Sequence, residues 1–370
     1  MKPKILIDAI ALLSPLTGIG RYTYEISKLL QEKDKLTTNY FYGYVSKNLL
    51  HPSQESDFKT IKQFMVTSPL LKKILRKLLI LSSKIFTPKY ELYWQPNFIP
   101  NSGIKANKIV TSVHDFSFLL HKEFHPKERI EYFENNFFQN IYRSDIIITG
   151  SEFSKREILE RLDFDASQVK VIYHGLNHQL FQPLQDKSIN FDLPEQFIFS
   201  VGSIEPRKNL LGLLKAYNIL AEDTKENYHL VLAGFKGWEN EEIMRLIELN
   251  KSHIHYLGYL TDEDLVKTYN LASLFVYPSF YEGFGLPVLE AMACATPVVC
   301  SDHSSLPEVG GDAVVYCNPN SVEDIKEKIE SVLKDKVLQK EMITKGLKRA
   351  KTFTWEKSAQ EHLKIFESLI

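Results

Sequence analysis

Cysteine is scarce in this sequence. Cys294, Cys300 and Cys317 are the three among 370 residues. None stands in Cys-x-x-Cys spacing and each lies inside an apolar run, so they read as core thiols of a reducing compartment rather than a disulfide framework or a zinc site. Long hydrophobic runs are missing: no apolar stretch approaches the roughly 18 residues of a membrane span. Met1-Lys-Pro-Lys-Ile-Leu-Ile-Asp8 enters a strand pattern with no signal-peptide core, so a cytoplasmic location is expected. Charge of one sign is also absent. Lys and Arg number 45 against 46 Asp and Glu, for a formal net charge of −1. That balance makes no case for nucleic acid. No repeat of 20–50 residues or low-complexity tract appears. Nor is there an Asp-x-Asp in a metal-binding context, because Asp262-Glu263-Asp264 is explained by acids favoured at a helix start.

What the sequence does have is apolar periodicity along nearly its whole length. With 44% hydrophobic and 12% aromatic residues, 370 residues suffice for two cores. Strand patterns at Ile5–Ile10, Glu91–Asn97, Lys108–Asp115, Asp145–Thr149 and Val169–Gly175 alternate with helical ones at Tyr22–Leu30 and Lys127–Tyr142. Periodicity lapses over His178–Pro194, which reads as a linker. It restarts at Phe197–Gly202 and recurs at His229–Ala233, Ile254–Leu257, Leu274–Tyr277, Pro297–Cys300 and Ala313–Tyr316. The pattern predicts an α/β chain of two doubly wound parallel-sheet domains facing a cleft. We place them at residues 1–184 and 185–351, with a terminal helix over 352–370 crossing back onto the first.

Candidate functional residues fall where strands end. After Leu274–Tyr277 comes a loop with Glu282, Gly283 and Gly285, then a helix from Leu286 carrying Glu290. A strand, loop and helix start in that order offers free backbone N–H groups and the positive end of the helix dipole to an anion or sugar hydroxyls. The plain alternative is a surface acid and a solvated helix glutamate. Gly202 ends another strand, and Arg207 and Lys208 follow it into a helix. Fixed cations there can stabilise charge developing on a leaving phosphate, or can simply be helix-start surface charge. His114 and Asp115 close a strand in the first half, where open parallel sheets bind ligands. Gly18 and Gly20 form a Gly-x-Gly that reads as a phosphate-binding turn or merely a tight one. Leu70–Phe86 is a basic amphipathic helix, suited either to an anionic membrane or to packing on the core with a solvated basic face.

Glu282-Gly-Phe-Gly-Leu-Pro-Val-Leu-Glu290 resembles the Glu-x7-Glu signature of retaining glycosyltransferases of family 4. Gly202-Ser-Ile-Glu-Pro-Arg-Lys-Asn209 resembles the same family's donor loop, and Val113-His-Asp-Phe-Ser-Phe118 a motif of its mannosyltransferases. The resemblance implies the GT-B fold and transfer of a sugar from a nucleotide donor with retained anomeric configuration. It implies that Glu290 holds ribose hydroxyls and Glu282 sugar hydroxyls. The amides of Phe284, Gly285 and Leu286 would take sugar and phosphate, and Arg207 and Lys208 the departing diphosphate. His114, with Asp115, would meet the donor sugar or the acceptor, and the loop of Gly18 and Gly20 the diphosphate or the acceptor. Since Arg207 and Lys208 can replace a metal at the diphosphate, no metal or other cofactor is expected. The motifs favour GDP-mannose as donor and a glycan or lipid-linked oligosaccharide of bacterial surface polysaccharide as acceptor, at the cytoplasmic face of the inner membrane. A UDP- or dTDP-sugar donor, a phosphorylase or epimerase on the same fold, and a non-catalytic nucleotide-sugar-binding subunit are the alternatives.

Overall fold

The computed structural model describes residues 2–13, 18–51, 69–237 and 240–370, with side chains left out for 69–76 and 79. The chain forms two compact units, Met1–Gly175 with Trp355–Ile370, and Leu176–Thr354. In the first, strands β1 (Lys4–Asp8), β2 (Thr37–Phe41), β3 (Val45–Ser46), β4 (Tyr90–Gln95), β5 (Ala106–Ser112), β6 (Ile146–Thr149) and β7 (Val169–Val171) form one sheet in the order β3-β2-β1-β4-β5-β6-β7. All pair in parallel except β2 with β3. The second has β8 (Phe197–Val201), β9 (His229–Ala233), β10 (Ile254–Tyr256), β11 (Leu274–Tyr277), β12 (Val298–Ser301) and β13 (Val315–Cys317). Their order is β10-β9-β8-β11-β12-β13, parallel throughout. Helices cover both faces of such sheets, which is why Ile5–Ile7 and Leu274–Val276 are apolar without alternation and wholly buried. Strand order reverses between β1 and β4 and between β8 and β11. Open α/β sheets bind ligands beyond the strand ends at such points.

The division falls at residues 175 and 354, not at 184 and 351. Residues 178–194 are tied to the second unit rather than free. The Leu184 N–H and the Lys187 ammonium both donate to Asn270, and Leu176 pairs with Thr354 in a parallel bridge. The terminal helix Trp355–Leu369 belongs to the first unit: Trp355, Ala359, Leu363 and Phe366 lie in one core cluster with Ile26, Leu30 and Trp94. Another correction concerns Gly18 and Gly20. Gly18 starts the helix Gly18–Glu32 and Gly20 is buried within its first turn, so neither forms a turn between strand and helix. Leu16 and Thr17, before them, lie outside the described residues. β2 and β3 were not anticipated.

A chain of buried hydrogen bonds holds the terminal helix. The His362 Nδ1 lies 2.8 Å from the Ser358 carbonyl, which can only accept, so Nδ1 carries the proton and Nε2 of the neutral ring accepts from Tyr22 at 2.6 Å. Trp94 Nε1, which only donates, reaches Ser112 Oγ at 3.0 Å, and Ser112 donates onward to the Tyr22 oxygen at 2.9 Å. Burial pushes the His362 imidazole down from 6.5 to about 4, with the nearby His114 adding to the effect. A depressed histidine pKa gives stability that is complete above 6.5 and is lost as pH falls toward the folded value. The buried Asp8, lifted to about 6 by burial, works in the opposite sense over an overlapping range. The test is therefore a difference. Between pH 6.5 and 4 the stability of the wild type relative to His362→Gln is expected to fall by about 3 kcal/mol. Urea unfolding at each pH measures it, and a difference independent of pH would contradict the assignment.

Candidate active site

The loops after β8, β11 and β12 build one cluster at the second unit's switch point. Gly202 leaves β8 at φ +156, and a Cβ at Gly234 would stand 1.9 Å from the Gly202 carbonyl oxygen. Backbones that close require glycine. The chain then makes a short 3-10 turn, Pro206–Lys208, and Asn209 adopts the left-handed region at φ 53. The Asn209 amide donates to the carbonyls of Pro278 at 3.0 Å and Pro319 at 2.7 Å, which ties this loop to the one after β11. That strap places Arg207 and Lys208 against Glu282.

Glu282 is buried, with only 7% of its surface exposed, and both its oxygens are bonded. Arg207 donates to Oε2 at 2.8 Å, and Lys208 and the Tyr277 hydroxyl donate to Oε1 at 2.7 and 2.9 Å. Arg207 also donates to the buried Glu205 carboxylate at 2.9 Å and to the Tyr281 carbonyl at 2.8 Å. Burial pushes the Glu282 carboxyl up, but the two cations outweigh it and hold the carboxyl at about 2. Lys208 moves down as well, because burial and the Arg207 charge exceed the pull of Glu282 and Glu205. Both partners of the Lys208–Glu282 pair are thus lowered. The geometry explains this: Glu282 is shared by two cations, whereas Lys208 has one carboxylate in contact and a guanidinium beside it. Such a cluster favours added negative charge at Lys208.

Glu282 is held from the backbone side by β12's loop. Its N–H donates to Ser304 Oγ at 3.0 Å, and Ser305 Oγ, 2.8 Å from each, bonds the carbonyls of Glu282 and Phe284. Gly285, at φ 113, is the N-cap of the helix Leu286–Ala293, and a Cβ there would meet Leu306 at 2.5 Å. Gly285 is therefore needed for a left-handed cap and a close packing contact. Gly283 is buried but has no positive φ among the described residues. Phe284 packs its ring against Phe353, leaving its backbone to shape the loop. Because the cap is glycine, it makes no side-chain hydrogen bond to the helix start at Leu286. Glu290 lies buried on that helix and accepts from the Tyr269 hydroxyl at 3.0 Å.

Sequence reasoning missed Tyr277, Tyr269, Ser304, Ser305 and Glu205. Tyr277 and Tyr269 look like ordinary core aromatics. The one available signal for Ser304-Ser305 was a small polar pair before an apolar helix start.

In the first unit His114 is half-buried just past β5, with Nε2 2.8 Å from the Pro96 carbonyl. The carbonyl only accepts, so Nε2 carries the proton, and burial lowers the pKa and keeps the ring neutral. Its Nδ1 is then an acceptor. Asp115 Oδ1 accepts from the Ser117 N–H at 2.9 Å and from its hydroxyl at 2.7 Å, at the start of the short helix Ser117–Leu120. Among the described residues no group of three or more His, Cys, Asp or Glu is arranged to hold a metal.

Two parallel-sheet units of this order define the GT-B class of glycosyltransferases. The solved sucrose-phosphate synthase from Thermosynechococcus elongatus shares the fold, with TM-score 0.75 and 19% identity over 100% of this chain and 99% of that one. So does Anabaena Alr3699/HepE, in complex with UDP and glucose, with TM-score 0.69 and 15% identity over 99% and 100%. Residues 181–349 match the family described as Glycosyl transferases group 1. The O-antigen chain mannosyltransferase B of Escherichia coli is 35% identical over 96% of this chain and 97% of its own length. The chain belongs to the group 1 glycosyltransferases and is a sugar-transferring enzyme.

Proposed function

We propose that the chain transfers mannose from GDP-mannose, with retention of configuration, to a glycan or lipid-linked oligosaccharide in O-antigen synthesis. The observation that carries the reading is Glu282 clamped by Arg207 and Lys208 at the β8/β11 switch point. The name of the Escherichia coli relative supports the sugar and the polymer. In this reading the diphosphate meets Lys208, Arg207 and the glycine-capped helix start, Glu282 orients the sugar, Glu290 takes the ribose, and His114 accepts a sugar hydroxyl at Nδ1. No protein nucleophile is needed when the leaving phosphate assists a front-face attack. The UDP and glucose bound to the Anabaena protein support a uridine donor as the second reading.

A panel of nucleotides tests the donor. At a hundred times Kd a ligand adds about 2.7 kcal/mol to the folded state. GDP and GDP-mannose should raise Tm. A shift with UDP or dTDP compounds alone would overturn the donor, and no shift at all would favour a non-catalytic subunit or a donor outside the panel. With two cations at the diphosphate, turnover is expected to be unchanged by a chelator. Loss of turnover on adding EDTA, restored by a divalent ion, would contradict that.

Membrane contact completes the proposal. Among the described residues no helix is long and apolar enough to cross a bilayer. In the helix Pro69–Phe86, Leu78, Leu81 and Ile85 are 55%, 53% and 62% exposed, with Lys77 and Lys84 exposed among them. Its inner side is set by Ser83 against Gly103, where a Cβ would meet Ser83 Oγ at 2.1 Å. Lys72, Lys73 and Arg76 lie outside the described side chains. Exposed apolar residues beside lysines suit an anionic lipid surface on the cytoplasmic side. Co-sedimentation with phosphatidylglycerol vesicles is expected, and it should weaken in Leu81→Glu. Equal sedimentation with neutral vesicles, or no effect of Leu81→Glu, would sink this part.

A further inference from the structure

Tyr277 belongs to the Glu282 cluster, yet the proposed transfer gives it no task. It ends β11, is 1% exposed, and its ring lies beside that of Phe275, with centroids 5.8 Å apart and planes at 20°. Phe275 packs in turn on Tyr269 at 5.2 Å, the residue that bonds Glu290. Close packing on this aromatic row leaves the phenol no freedom to swing. Its hydroxyl closes a triangle. The Lys208 ammonium donates to Tyr277 Oη at 2.6 Å and to Glu282 Oε1 at 2.7 Å, and Tyr277 donates to the same Oε1 at 2.9 Å. An ammonium only donates and a carboxylate only accepts, so the single phenol proton points to Glu282 and every direction in the ring is fixed. Burial and the Glu282 charge push the phenol well above its ordinary value, which keeps it protonated.

The lysine stem is held as well. It passes Gly202, where a Cβ would lie 3.6 Å from each of three stem carbons, and the ammonium stands 5.1 Å from the centroid of the Tyr277 ring. Of the three N–H groups of an ammonium, Tyr277 and Glu282 take two, and the third has no partner among the described residues. A free lysine stem surrenders its rotamer freedom when it takes up a phosphate, whereas a stem already held by two bonds does not.

We propose that Tyr277 is a positioning residue for sugar transfer, its hydroxyl closing a ring with Lys208 and Glu282 that presents the third Lys208 N–H to the departing diphosphate. The assignment rests on the glycosyl-transfer reading and extends it. Charge that develops on the leaving phosphate is met by a lysine already in place, which costs no reorganisation as the bond breaks.

The test is a double-mutant cycle of Tyr277→Phe and Lys208→Met in the full chain, once melting curves show that each variant folds. GDP-mannose and an α-linked mannotriose are the substrates. GDP, whose terminal phosphate carries the charge that a departing diphosphate acquires, is the binding probe. Tyr277→Phe should lower kcat and weaken GDP binding by about tenfold each, with donor KM within about twofold of wild type. In the Lys208→Met background the same change should alter either quantity by less than about twofold, because the hydroxyl then has no ammonium to hold. Effects that multiply would overturn the proposal, since a hydroxyl that only supports the fold acts regardless of Lys208. So would wild-type kcat and GDP affinity in Tyr277→Phe. Should that variant fail to fold, Lys208→Arg reads the ring from its other corner: the charge is kept but a planar fork cannot close the triangle, and kcat should fall about tenfold. Full turnover by Lys208→Arg would overturn the assignment. If the wild type transfers no sugar while the two substitutions remain coupled in GDP binding, the hold of Tyr277 on Lys208 stands and the GDP-mannose transfer reading falls.

Discussion

Arg207→Ala is expected to lower kcat on the order of 10²–10³-fold with little change in donor KM. A donor in the ground state carries its diphosphate charge already shared with the sugar ester. As the glycosidic bond stretches, charge builds on the leaving phosphate, and a fixed guanidinium in a buried site gains most at that moment. Arg207 is fixed by the Glu205 carboxylate, the Tyr281 carbonyl and Glu282. Its removal has a second consequence, because Glu205 loses its cation and Glu282 keeps only Lys208. Leaving buried carboxylates short of a partner costs about 3–5 kcal/mol. Adding Glu205→Gln should restore much of the stability and none of the turnover, which separates the two effects. A change in donor KM alone would remove Arg207 from the reacting end of the site.

Ending the chain at Thr354 is expected to unfold the first unit and spare the second. The terminal helix places Trp355, Leu363 and Phe366 in the core of the first unit, each at 5% exposure or less. Burial of such side chains contributes about 1.5–3 kcal/mol each, against a total domain stability of about 5–15 kcal/mol. The truncation also deletes His362, the acceptor of the Tyr22 hydrogen bond. Limited proteolysis should digest residues 2–175 while 176–354 resist and still respond to nucleotide. Equal protection of both parts would show that the helix is dispensable. Phe366→Ala alone should cost about 3–5 kcal/mol.

The parts of the structure legible in the sequence are those set by local pattern. His229–Ala233 and Leu274–Tyr277 were read to the residue, because strands buried on both faces are short apolar runs bounded by polar turns. The acids Asp262-Glu263-Asp264 mark a helix start for the same local reason, and Thr261 caps Asp262–Leu271 there, its side chain accepting from the Asp264 N–H. Residues 36–46 were not. Thr37–Phe41 mixes polar and aromatic residues, and Val45–Ser46 is two residues long, too short for any period. In the site, residue types and spacing brought out Glu282, Glu290, Arg207 and Lys208. They could not show that Arg207 and Lys208 grip Glu282 directly, since those contacts span 75 and 74 residues of chain and depend on Asn209 bridging two loops. Nor could they show the local bond of Asp115, whose Oδ1 accepts from the Ser117 N–H and hydroxyl.

The central claim is mannosyl transfer with retention at the Glu282 cluster. NMR of a reaction containing the purified chain, GDP-mannose and an α-linked mannotriose tests it most directly, followed without separation of products. The account predicts stoichiometric release of GDP with one new α-mannosidic anomeric signal, and neither in Glu282→Gln or Arg207→Ala. A β-linked product, transfer from UDP-sugars only, or full turnover by Glu282→Gln would contradict it.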